Sequence, residues 1–246
     1  MVSENLSDYY EKVAIESDVL YSGTGFMNYG FWNKNINTPA DASKNLVHHL
    51  ANFFNDYQGL ILNAACGNGS DTKILTQYFN PTNITSINIS KPQLERAARK
   101  TPEAKFIQMS ATDLKFENNY FNNIICIEAA FHFNTREKFL SESFRVLNHG
   151  GKIVIADILF KSNFFLNKTF FSDENKLKHP KDYTSLLKKC GFTNIDLVDV
   201  TNSTLKPFVS YIISNLFKRY PIGVIKFLLP RIINISSYVF IIAERP

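Results

Sequence analysis

The chain has little sulfur to work with: three cysteines in 246 residues, Cys66, Cys126 and Cys190, an odd number set far apart. That argues against a disulfide framework and leaves no Cys/His spacing for a metal site, so reduced thiols in a cytoplasmic protein are expected. Long apolar runs are missing too. A membrane span needs about 20 consecutive apolar residues, and the nearest approach, "PFVSYIISNLF" from Pro207 to Phe217, ends at Lys218 and Arg219. The opening "MVSENLSDYYEKVAIES" lacks the basic-then-apolar order of a signal peptide. Charge of one sign is nowhere concentrated. The net +5 comes from scattered Lys and Arg, without a basic block or an aromatic-plus-basic RNA signature, which speaks against a nucleic-acid partner.

What is present is material for a core. Hydrophobic residues make up 45% of a length that suits one large domain, or one with an insertion. Periodicity predicts strands over 60–64, 84–89, 105–109, 123–128, 152–159, 195–200 and 238–243. It predicts helices over 71–79, 91–100, 136–147 and 182–190, with a further helix opened by Thr38 as N-cap and Pro39 at its first position. Strands separated by helical stretches argue for an α/β fold with a doubly wound, mostly parallel seven-stranded sheet. Two stretches break the alternation and are read as covers for a site. One is a helical N-terminal arm over 1–57; the other is an apolar, aromatic insertion over 202–236, between a core of 58–201 and a last strand in 237–246. Lys206, Lys218, Arg219, Lys226 and Arg231 punctuate that insertion. Its plain reading is helical packing on the domain. Its sharper reading is a lid over an apolar acceptor, walled further by Phe164, Phe165, Phe170 and Phe171, with weak lipid-surface contact a lesser alternative.

In an open α/β sheet, ligands bind at the carboxyl ends of the strands. After the first strand comes Cys66-Gly67-Asn68-Gly69, a turn that lets backbone approach a ligand before a helix N-terminus; on its own it is also what any strand-to-helix turn looks like. No Gly-Lys-Ser/Thr follows, which excludes a phosphate-cradling P-loop. The second strand ends at Asn88, about 20 residues on, where a ribose-bonding group belongs. Ser90 and Gln93 form a capping box for the next helix, which leaves Gln93 able to touch a cofactor as well. Ser110, Ala111, Thr112 and Asp113 follow the third strand, Asp113 doubling as a turn residue. The fourth runs into "ICIEAAFHFNTREKF", in which Asn134 and Glu137 read as a capping box and His132, between Phe131 and Phe133, as a candidate base.

Taken together, these residues resemble class I S-adenosylmethionine-dependent methyltransferases, in the small-molecule branch of sugar and natural-product O-methyltransferases and tocopherol methyltransferase relatives. The likeness is carried by "MNYGFW", "LNAACGNG", "ITSINISKPQLERA" and "CGFTNIDLVDVT", and above all by "IEAAFHFNTREKFLSESFRVLNHGGKIVIAD". It implies a Rossmann-like fold, S-adenosylmethionine as cofactor with S-adenosylhomocysteine as product, and a small-molecule acceptor. It places Asn63, Ala65, Gly67, Asn68 and Gly69 along the methionine end. Asn88, Ile89 and Gln93 fall at the ribose, Ser110 to Asp113 at the adenine, and Glu128 is included with the cofactor set. His132 becomes general base with Asp157 fixing its imidazole, and Tyr29, Trp32, Phe131 and Phe133 face the acceptor.

The departures from the family share a theme. Where it usually carries acids, this chain has Asn63, Asn88 and Ser110, and Ala65 replaces the first glycine. A hydrogen bond to a charged group contributes roughly 1.5–3 kcal/mol against roughly 0.5–1.5 for a neutral one, so each exchange weakens binding by somewhat under about tenfold. Two rivals keep the fold without methyl transfer: a cyclase-type protein that uses the cofactor structurally, and a scaffold that binds no nucleoside. An NAD-dependent dehydrogenase fits poorly, because the third glycine and the ribose acid are missing.

Overall fold

The computed structural model describes residues 20–161, 175–177, 179–219 and 234–246, with the side chains of 216–219 left aside. The expectations for residues 1–19, for Phe164, Phe165, Phe170 and Phe171, and for Lys226 and Arg231 lie outside the described residues.

The elements follow in order: α1 (Pro39–Ala51), β1 (Ile61–Ala64), α2 (Ser70–Leu75), β2 (Ile84–Asn88), α3 (Lys91–Lys100), β3 (Lys105–Gln108), β4 (Phe121–Ile127), α4 (Arg136–Val146), β5 (Leu147–Phe160), α5 (Pro180–Lys189), β6 (Thr193–Asp199), α6 (Thr201–Arg219) and β7 (Ile235–Glu244). The seven strands form one sheet in the order β3-β2-β1-β4-β5-β7-β6. β1 to β5 pair in parallel, while β7 runs antiparallel to both β5 and β6. The strand order reverses between β1 and β4, the switch point at which such sheets open a crevice.

Local chemistry starts the helices as expected at two places. Thr38 Oγ1 accepts from the Asp41 N–H at 3.2 Å, and Ser90 Oγ accepts from the Gln93 N–H at 3.4 Å. At α4 the cap is different. Thr135, not Asn134, accepts from the Lys138 N–H at 3.1 Å, and Glu137 instead pairs with Lys189 at 2.6 Å. Asn134 and Thr135 are both good caps; the chain enters the helix one residue later, leaving Asn134 exposed. α2 is six residues, shorter than expected, and β5 begins at Leu147, ahead of Gly150 and Gly151.

The pleat sends alternate residues to opposite faces. Val154 and Ala156 join Leu46, Leu50, Ile74 and Phe208 beneath α1, α2 and α6, while Ile153 and Ile155 join Phe139, Leu140, Tyr183 and Leu187 beneath α4 and α5. Each such buried side chain contributes about 1.5–3 kcal/mol, so both faces fix the sheet and hold its carboxyl ends in one row.

Candidate active site

Register defines the row. Ala64 lies beside Ile87 and Cys126, Asn88 beside Gln108, and Ile127 beside Ala156. The residues that follow, Ala65, Glu128 and Asp157, therefore stand at adjacent strand ends with Asn88. Residues 20–32 cross them: Ser70 Oγ and Lys100 Nζ donate to Thr24 O, Asn68 Nδ2 to Gly25 O, and Tyr29 N–H to Glu128 Oε1 at 2.8 Å.

The glycine turn is shaped by left-handed backbone at Ala65 (φ +68°), Gly67 (+52°) and Gly69 (+77°). A side chain on Gly69 would meet Ala97 Cβ at 2.5 Å, so this glycine seats α3 against the turn; on Gly67 it would meet only Met27 Cε at 3.4 Å, and φ rather than crowding asks for glycine there. Asn63 is fully buried: its Nδ2 donates to Thr72 Oγ1 at 3.0 Å, Thr72 shares a bond with Ser86, and Asn63 Oδ1 has no partner. Asn68 Oδ1 accepts from Arg96 at 2.9 Å.

Asn88 is the hub of the ribose edge. Its Nδ2 donates to Gln93 Oε1 at 2.7 Å and to Gly67 O at 3.4 Å, and its Oδ1 accepts from the N–H groups of Ile89 and Ser90. The Gln93 side chain thus turns to Asn88 instead of closing the capping box, and its buried Nε2 is left without a partner. Ser110 Oγ bonds Thr112 at 2.9 Å, Ala111 is buried, and Asp113 turns outward to an exposed pair with Lys115.

At the β4 end, Glu128 has φ +50° and its Oε1 also accepts from Tyr238 Oη at 2.7 Å. Desolvation pushes its carboxyl up to about 8, against the lowering effect of those two donors. A 3₁₀ turn (Ala130–His132) follows, with the half-buried His132 ring 4.0 Å from that of Phe131. Phe131 sits in the same cluster as Trp32, with Tyr29, Phe160 and Tyr211 packed on it, whereas Phe133 packs on Phe139 at the opposite face. Tyr29, Trp32 and Phe131 belong to the cluster on one face of the sheet, Phe133 to that on the other. Tyr29 meets Phe208 edge-on at 4.9 Å, and Trp32 N–H donates to Ser203 O at 2.8 Å, tying α6 over this wall.

Asp157 stands differently from expectation. It is fully buried, and its Oδ2 accepts from Arg136 Nε at 2.7 Å while Oδ1 accepts from the Ile158 N–H at 2.8 Å. No bond to His132 is formed; the buried Arg136 takes the carboxylate as its counter-charge. Arg136 also donates to Ile158 O and Asn175 O, its N–H to Asn175 Oδ1, and Asn175 Nδ2 reaches Ala130 O and Phe131 O at 3.0 Å. Arg136 and Asn175 were not foreseen as site residues; they sit 21 and 18 positions from Asp157 with no motif to flag them.

Sheet order and the strand-end turn define a Rossmann-like α/β fold. Residues 62–155 match the family described as "Methyltransferase domain". Methyltransferase GfsG of Streptomyces halstedii is 26% identical over 82% of this chain and 77% of its own length; erythromycin 3''-O-methyltransferase of Saccharopolyspora erythraea is 23% identical over 82% and 72%. Among solved structures, the [4+2]-cyclase SpnF shares the fold with a TM-score of 0.79, at 18% identity over 99% of this chain and 97% of its own. The chain thus carries, over residues 62–155, a methyltransferase domain like those of these relatives, whose cofactor is S-adenosylmethionine. The residues fit that cofactor: two buried polar atoms, Asn63 Oδ1 and Gln93 Nε2, flank the glycine turn with hydrogen-bonding capacity left over. Among the described residues no cluster could hold a metal, and no helix is long and apolar enough to cross a membrane.

Proposed function

We propose that the chain methylates a hydroxyl of a small, apolar or aromatic acceptor, with His132 as general base. The observation that carries this is the setting of His132: half-buried at the carboxyl end of β4 and against Phe131, which packs on Phe160 in the same core cluster as Trp32 and Tyr29. The relatives that act as O-methyltransferases support the same acceptor atom. When bound, S-adenosylmethionine supplies an electrophilic methyl on its sulfonium. Asn63, Ala65, Gly67, Asn68 and Gly69 would line its methionine end, Asn88, Ile89 and Gln93 its ribose, and Ser110 to Asp113 its adenine. Orienting the acceptor is the larger part of the task. His132 takes the hydroxyl proton as the oxygen bonds the methyl carbon, and an ordinary imidazole titrates near the working pH. Asp157 serves as a positioning residue: through Arg136 and Asn175 it fixes the backbone of the turn that carries His132. Glu128 serves the site by pinning Tyr29 over it.

The test is His132→Ala, assayed for S-adenosylhomocysteine release against a panel of phenols and hydroxylated macrolides. The expected loss in kcat is roughly 10²–10⁴-fold with the melting temperature unchanged; full activity would remove His132 as the base. A second reading, a cofactor-binding protein that does not methylate, is favoured by one observation, the commitment of Asp157 to Arg136. It requires that wild-type protein bind S-adenosylmethionine and convert it with no acceptor of the panel.

A further inference from the structure

The methionine end of S-adenosylmethionine carries an α-ammonium and a sulfonium beside one carboxylate, so a site for it needs negative charge or many acceptors. Asn63, Asn88 and Ser110 are all neutral, and the Asn88 carbonyl oxygen is already taken by two N–H groups. Glu128 holds two donors on one oxygen at the far side of the row.

Asp71 has the opposite character. It follows the glycine turn by two residues, in the first turn of α2. Its Oδ1 accepts from the Thr72 N–H at 2.8 Å, and the amide of Asn63 lies beside it. The thiols of Cys66 in the turn and Cys126 on β4 are also close enough to feel its charge, and both are pushed well up, chiefly by burial, so both stay neutral. The cation that reaches it through space is Lys100 of α3, whose Nζ donates to Thr24 O and Ser70 Oγ instead. Among the described residues Asp71 forms no ion pair. Desolvation lifts its carboxyl to about 6, against the lowering effect of the donors around it and of the more distant Lys100 charge. The same Asn63 amide, fully buried, leaves its Oδ1 without a donor.

We propose that Asp71 is the carboxylate that receives the cofactor's α-ammonium, with the unpartnered Asn63 Oδ1 as the second acceptor. The negative charge missing from the end of β1 is thus supplied from the first turn of α2. An ammonium there would give Asp71 a counter-charge and Asn63 a donor at once. The inference rests on S-adenosylmethionine being the cofactor, and it is independent of whether His132 is the base.

The experiment is calorimetric titration of wild type and Asp71→Asn with S-adenosylhomocysteine and with methylthioadenosine, which keeps the nucleoside but lacks the amino-acid end. Asp71→Asn is expected to weaken S-adenosylhomocysteine about tenfold and leave methylthioadenosine unchanged. Equal binding of S-adenosylhomocysteine by both proteins, or an equal loss on both nucleosides, would overturn the proposal. A second measurement uses wild type alone. Its preference for S-adenosylhomocysteine over methylthioadenosine should fall as pH drops from about 7.5 to about 5 and Asp71 is protonated. Glu128, raised to about 8, titrates above that range. A preference that does not move with pH overturns the proposal even if the variant is unstable. A wild type that binds neither nucleoside overturns the cofactor assignment together with the role of Asp71.

Discussion

At the glycine-turn end of the row, Asn63, Asn88 and Gln93 are joined to their neighbours by neutral hydrogen bonds, and two polar atoms remain unmatched. At the β4–β5 end, Asp157, Arg136 and Asn175 form a charged network in which the carboxylate, the guanidinium and the carboxamide all have partners. The first end keeps bonding capacity in reserve, as a binding surface must. In the second, each of these three groups is engaged, only the neighbouring Tyr183 hydroxyl being left without a partner among the described residues, and the network holds one loop in one place. Ligand contact and loop placement are thereby separated onto different strands.

That contrast can be broken at its strongest point first. Asp157→Asn leaves Arg136 buried without a counter-charge and is expected to destabilise the protein by about 3–5 kcal/mol, roughly 6–20 °C in melting temperature for a domain of this size. Adding Arg136→Met to Asp157→Leu should recover much of the loss, because an apolar pair removes the desolvation penalty; a thermal denaturation series checks both. Asn175→Ala removes its bonds to Ala130 O and Phe131 O and should cost about 2 kcal/mol. It should also lower kcat, measured on folded protein, more than it changes affinity for S-adenosylhomocysteine. A variant that lost nucleoside affinity and kept kcat would contradict the separation of the two ends.

Glu128 sharpens the comparison through pH. Its folded carboxyl is raised to about 8, so the native state holds a proton that the unfolded chain releases near the ordinary carboxylate range. Its contribution is fully present below that range and is lost as pH rises through about 8. Glu128→Gln keeps an acceptor for Tyr29 and Tyr238 and cannot ionise. It should therefore melt above wild type at pH near 8.5, with the gap narrowing as pH falls toward about 5. The smallest effect is local. Ala65 holds φ +68°, so Ala65→Gly should stabilise the protein by about 1 kcal/mol, visible as a rise of roughly 2–4 °C.

Much of this site was legible because its signals are local. Thr38 and Ser90 cap their helices with bonds spanning three residues, and the alternation of strands and helices predicts which ends meet. Asn134 was misread by one position, since two adjacent residues were chemically able to cap α4 and only packing selected Thr135. Phe131 and Phe133 look alike in sequence, and the turn at Ala130–His132 sends them to opposite faces of the sheet. Asp71 has no motif of its own in the sequence; only the fold sets the buried Asn63 beside it.

By itself the sequence determined the class of fold, the glycine turn, the neutral residues at three strand ends and the position of His132 after the fourth strand, since each depends on periodicity or on residues close in the chain. Tertiary structure alone decided which charges face one another. Asp157 could have met His132 or Arg136, and burial of the guanidinium settled it, because a desolvated cation requires its counter-ion more than a half-buried imidazole does.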